Sequence, residues 1–81
     1  MEKTEIRERL NGIFKDVFDD ESLEIRAEMS ASDIEDWDSL AQIDIVTASE
    51  AAFGLKFSLA EIVTLKNIGD MLDLIDRKIN A

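Results

Sequence analysis

The sequence predicts an all-α protein: a four-helix bundle with a short third helix and a long loop between helices one and two. Three observations predict it. The chain has no proline and only three glycines among its 81 residues, so little interrupts a helix. The alternation of apolar and polar residues that marks a half-buried strand is absent. Apolar residues recur instead at intervals of three and four, the spacing of one helix face. The length fits one domain over residues 1–81.

The first helix is expected from Thr4 or Glu5 to Phe18, with Thr4 as N-cap and Glu5 in the first turn, where the dipole favours an acid. Ile6, Leu10, Ile13, Phe14, Val17 and Phe18 form its apolar face. Residues 19–38 read as a loop opened by Asp19-Asp20-Glu21-Ser22. Leu23, Ile25, Met29, Ile34 and Trp37 are expected to pin it across the helices, through a turn at 31–35. Met29 and Met71 read as core fillers.

The second helix is expected from Ser39 to Phe53, stopped by Gly54 as the residue after its C-cap. Phe57 should be buried beside it. Ser58 and Glu61 have capping-box spacing ahead of Ile62 and Leu65. Asn67 should cap the fourth helix, with Asp70 three residues on. Ile68, Met71, Leu72, Ile75 and Ile79 give its inner face, and Arg77 and Lys78 suit its C-terminal end.

At 100° per residue, the second helix carries two apolar stripes. Ile45, Val46, Ser49, Ala52 and Phe53 form the heavier one, expected to face the core. Leu40, Ile43 and Thr47 form the other, with Asp44, Glu50 and Ala51 beside it. An exposed apolar strip edged by acids suits docking to basic partner surfaces. Ser49 reads as a helical serine bonding back to a carbonyl one turn earlier; a polar lining on the inner face is the alternative.

Net charge is −10, from 19 acids and nine bases. That balance argues against nucleic-acid binding, which calls for a basic patch. Between Arg26 and Lys56 there is no Lys or Arg but seven acids: Glu28, Asp33, Glu35, Asp36, Asp38, Asp44 and Glu50. The cluster Asp16, Asp19, Asp20, Glu21 and Glu24 lacks the spacing and central glycine of an EF-hand loop, so no metal site is assigned. It reads as a solvated face that attracts divalent cations weakly. No apolar run spans a membrane, and the N-terminus lacks an apolar signal segment. The expectation is a cytoplasmic monomer. With no histidine and no cysteine, the usual groups for acid–base and nucleophilic catalysis are missing, so the chain is not expected to be an enzyme.

Ser39, in the run Asp36-Trp37-Asp38-Ser39-Leu40, sits where polar loop meets apolar helix. The unpaired N–H groups and dipole of a helix N-terminus favour a phosphate there. Ser39 therefore reads as an attachment point for a phosphate-linked arm; the plain alternative is a serine that only starts the helix. Trp37 reads first as an apolar anchor tying the loop to the second helix.

Asp38-Ser39-Leu40 at the head of an apolar helix resembles the phosphopantetheine attachment motif of acyl carrier proteins. Residues 34–57, IEDWDSLAQIDIVTASEAAFGLKF, resemble that family's attachment loop and recognition helix, and residues 67–75, NIGDMLDLI, its last helix. With the first helix, almost the whole chain is covered. The resemblance implies 4′-phosphopantetheine joined to Ser39 by a phosphopantetheinyl transferase, and acyl groups held as thioesters on its thiol. It implies a role for Asp38 in arm transfer, by helping hold a metal ion in the transferase site. It further implies partner contacts through Leu40, Ile43, Asp44, Thr47 and Glu50 to acyl-activating and acyl-transferring enzymes with basic docking patches. Trp37, Ala41, Thr47, Ser49 and Ala51 depart from the family's commoner residues, which are small, acidic, long apolar, leucine and acidic in that order. These departures favour the carriers of specialised pathways, such as polyketide or modified-lipid synthesis, over housekeeping fatty-acid synthesis. An aminoacyl or peptidyl cargo uses the same attachment chemistry, and an unmodified acidic interaction module is the other alternative.

Overall fold

In the computed structural model, which describes residues 1–34 and 36–80, four helices follow one another: α1 (Lys3–Phe18), α2 (Ser39–Phe53), α3 (Leu59–Val63) and α4 (Ile68–Asn80). Among the described residues there is no strand. The closest helix pairs are α1 with α2 and α1 with α4. Ile6, Leu10 and Phe14 of α1 meet Ile45 and Val46 of α2 and Ile68, Met71, Leu74 and Ile75 of α4 in one apolar core. Leu74, absent from the expected inner face, is buried there, while Leu72 and Ile79 are only partly covered.

The start of α1 corrects the expectation. Thr4 does not cap the helix. Glu2 holds the N-cap position without a side-chain capping bond, and the helix begins at Lys3. Before it, the Met1 ammonium donates to Asn80 Oδ1 at 3.0 Å, and Asn80 Nδ2 donates to the Met1 carbonyl at 2.9 Å. These contacts lie across the fold from one another in sequence, so no local signal announces them.

The loop of residues 19–38 contains turns but no helix among its described residues. Ile25 and Met29 reach the core, with Leu23, Ile34 and Trp37 packed against it. Glu35, the end of the expected turn at 31–35, lies outside the described residues. Polar staples fix the loop at both sides. Asn11 Oδ1 accepts from the Ile25 N–H at 2.7 Å, and Arg7 donates to the Ile25 carbonyl at 2.6 Å. At α4, the Ile68 and Gly69 N–H groups donate to the Met29 and Ala27 carbonyls at 2.9 and 2.8 Å. First-turn donors with no partner inside their helix are thus satisfied by the loop. The approach is close at Gly69, where a Cβ would stand 3.1 Å from the Ala27 carbonyl oxygen.

Helix α2 matches its expected bounds and ends at Gly54, whose φ of 65° lies where a Cβ costs about 1–2 kcal/mol. One stripe needs revision. Ala41, Ile45 and Ser49 are buried and Phe53 is half-buried, while Ala52 is exposed. Ala41, Ile45, Ser49 and Phe53 follow an i, i+4 row, with Val46 buried beside it; Ala52 points within about 20° of Ile45, so its direction on the wheel does not account for its exposure. Phe57 is buried as expected. Ser58 and Glu61 form the full capping box of α3, and Asn67 Oδ1 accepts from the Asp70 N–H at 2.8 Å. Helix α3 has no buried residue. Glu61 and Lys78 tie it to α4 at 2.9 Å, and the same ammonium lies 5.9 Å from the centre of the Phe57 ring.

Candidate functional site

The site is built where the loop turns into α2. Asp38, in an extended conformation, is the N-cap: its Oδ1 accepts from the Ala41 N–H at 2.9 Å. Its carbonyl takes the first helical bond, from the Gln42 N–H at 3.0 Å. Ser39 is the first helical residue, and it is exposed. The serine hydroxyl therefore stands in solvent beside the unpaired donors of a helix start.

Trp37 fixes the approach to this serine. Its ring packs edge-on against Phe14 at 5.2 Å and lies 6.4 Å from Phe18. Its indole N–H donates to Gln42 Oε1 at 2.7 Å, one turn into α2. The expected anchor thus joins the loop to α1 by aromatic packing and to α2 by a hydrogen bond. An aromatic pair of this kind is worth about 0.5–1.5 kcal/mol beyond the area it buries.

Beside Ser39 opens a groove of about 660 Å³ between α2, α3 and the start of α4. Gln42, Ile43, Ile62, Val63, Leu65 and Met71 give it a largely apolar lining. Its floor belongs to the core, since Met71 is 2% exposed and Ile62 and Leu65 pack against the core cluster. The sequence reading did not include this groove. It depends on α3 and the start of α4 lining one groove with α2, which no local pattern specifies.

The second stripe of α2 faces outward. Leu40 is 73% and Ile43 60% exposed, and Asp44, Thr47 and Ala51 are exposed with them. Leu59 and Val63 of α3 add exposed apolar surface that the sequence reading missed. The available signal was length: a five-residue helix with four apolar residues cannot bury them all. Glu50 differs from its expected neighbours. It is half-buried, and its Oε2 accepts from the Phe57 N–H at 2.8 Å, which closes the loop after α2.

Ser49 also differs. It is fully buried, and its Oγ has no hydrogen-bond partner among the described residues. The expected bond to a carbonyl one turn earlier is not made. A buried hydroxyl without a partner costs about 1–3 kcal/mol.

In the acidic segment after α1, Asp20 accepts from the Ser22 hydroxyl at 2.6 Å and from its N–H at 3.0 Å. The hydroxyl bond first, and then the backbone bond, hold its carboxyl below the usual range. Among the described residues, no three acidic side chains are grouped to hold a metal ion. Among the described residues, no helix is long and apolar enough to cross a membrane.

Comparison with known proteins shows the family of the whole chain. Residues 8–75 match the family described as "Phosphopantetheine attachment site". The acyl carrier protein of Acidothermus cellulolyticus is 33% identical over 75 residues, 93% of this chain and 89% of the relative. That of Coprothermobacter proteolyticus is 32% identical over 76 residues, 94% and 93% of the two chains. The solution structure of the holo acyl carrier protein from Geobacter metallireducens superposes with a TM-score of 0.87 at 41% identity, over 93% of this chain and 86% of that one. Matched along nearly its whole length in sequence and in helix arrangement, the chain belongs to the acyl carrier protein family, whose covalent cofactor is 4′-phosphopantetheine.

Proposed function

We propose that Ser39 is the attachment residue and that the chain acts as a carrier, not a catalyst. The observation that carries this reading is the exposed Ser39 hydroxyl at the first position of α2, at the mouth of the groove. When attached, the cofactor supplies a thiol that holds acyl groups as thioesters. In the transfer, the Ser39 oxygen bonds to the phosphorus of coenzyme A that carries the pantetheine. Adenosine 3′,5′-bisphosphate leaves, and the hydroxyl proton passes to a base of the transferase. Asp38 holds the helix start in shape through Ala41, and Trp37 holds the preceding loop, so Ser39 is presented in one position.

Leu40, Ile43, Asp44 and Thr47 form the proposed partner face for the transferase and for acyl-transferring enzymes with basic surfaces. Exposed apolar side chains next to an acid support this reading. Glu50 adds charge at the edge of that face while bonded to Phe57. Thr47, Ser49 and Ala51 support a specialised acyl pathway over housekeeping fatty-acid synthesis.

The test is intact mass after incubation with coenzyme A and a phosphopantetheinyl transferase. The wild type should gain one phosphopantetheinyl group, and Ser39→Ala none, with its helices retained by circular dichroism. A Ser39→Ala protein that gains the group would place attachment at another serine.

A further inference from the structure

A phosphodiester at Ser39 would add negative charge where the chain is already most acidic. Between Arg26 and Lys56 there are seven acids and no base, on a protein whose net charge is −10. No neighbour along the chain can offset that charge, so a cation for it has to come from another part of the fold. Among the residues that line the groove with Ser39, Lys66 is the basic one and Asp38 the acidic one. Asp38 is engaged as the cap of α2, through the Ala41 N–H. Lys66 stands in the turn between α3 and α4, and its backbone is held: its N–H donates to Asp70 Oδ2 at 3.0 Å. Its side chain is exposed and makes no ion pair among the described residues. Lys78, by contrast, is taken up by Glu61.

We infer that Lys66 is a positioning residue for the arm: its ammonium pairs with the phosphodiester at Ser39 and fixes the root of the arm on the side that faces the α3–α4 turn. This rests on the carrier reading and deepens it. An ammonium binds phosphate as a point charge, so the pairing needs no single side-chain geometry and suits a long, exposed lysine. The pair is solvated, and its strength is that of a surface ion pair, small and weakened by salt.

The experiment compares wild type, Lys66→Gln, Lys66→Arg and Lys56→Gln, each with and without the arm. Lys56 is an exposed lysine that does not line the groove, so its variant controls for net charge. The arm is added from coenzyme A by a phosphopantetheinyl transferase until intact mass shows complete loading. The change in melting temperature on loading should be less favourable in Lys66→Gln than in wild type by roughly 2–4 °C at low salt. Lys66→Arg and Lys56→Gln should keep the wild-type change. The gap should narrow when NaCl rises from about 0.01 M to 0.1 M. The phosphorus NMR signal of the loaded protein should shift in Lys66→Gln and stay in place in Lys56→Gln. The inference is overturned if Lys66→Gln matches wild type in both measurements, if Lys56→Gln loses as much, or if the gap is indifferent to salt. A wild type that gains no arm overturns the carrier reading, and this one with it; a wild type that loads without any dependence on Lys66 overturns this one alone.

Discussion

Trp37 shows how much one side chain contributes to presenting Ser39. It is the sole tryptophan, it packs on two phenylalanines of α1, and it bonds to Gln42 of α2. Trp37→Phe should keep most of the packing and lose the hydrogen bond, costing about 1 kcal/mol in urea denaturation. The rate of arm attachment should fall with it, because the loop before Asp38 is less firmly held. Asp44 and Glu50 separate at the same scale. Asp44→Lys should slow the transferase at low salt while changing stability by no more than about 0.5 kcal/mol. Glu50→Lys should lower the melting temperature as well, since it frees the Phe57 N–H. Equal stability of the two variants would show that the Glu50 bond contributes nothing.

At the scale of elements, α3 is the least anchored helix. Five residues long and without a fully buried side chain, it is held by its capping box, by the Glu61–Lys78 pair and by Ile62, which packs against the core. The Ser58 N–H first, and then the Lys78 ammonium, keep the Glu61 carboxyl below its usual range. A lowered folded value means that the stabilisation is present above the unfolded carboxylate value and is lost as pH falls through the folded one. Acidification below the ordinary glutamate range should therefore loosen α3 before the core. Amide exchange at residues 59–63 should rise in acid relative to Ile45 and Ile75, after correction for the intrinsic pH dependence, and Glu61→Gln should reduce that pH response. Helix α4 is held differently, by loop carbonyls on its first N–H groups and by the room that Gly69 leaves for Ala27.

For the whole molecule, charge and size set the conditions for stability. A net charge of −10 on 81 residues, with seven acids and no base between Arg26 and Lys56, repels itself. Raising NaCl from about 0.01 M to 0.1 M shortens the screening length from about 30 Å to 10 Å. The melting temperature should rise over that range. Magnesium at equal ionic strength should give a larger gain than NaCl, from weak attraction of divalent cations to the acids of residues 16–24; an equal gain would show that screening alone acts.

The sequence by itself determined the features governed by near neighbours. The bounds of α2, its stop at Gly54, the capping box at Ser58 and Glu61, and the cap at Asn67 all rest on residues within a few positions of one another. So did the outward stripe of Leu40, Ile43 and Thr47, and the motif around Ser39, because period and motif are local. Tertiary structure decided what depends on residues distant along the chain. It set the contact of Met1 with Asn80, the exchange of Ala52 for Ala41 in the buried row, and the stapling of the long loop to α1 and α4. It also turned Glu50 toward Phe57, opened the groove under α3, and left the Ser49 hydroxyl unpaired in the core. A helical wheel gives the direction of a side chain; only the packed fold supplies, or withholds, its partner.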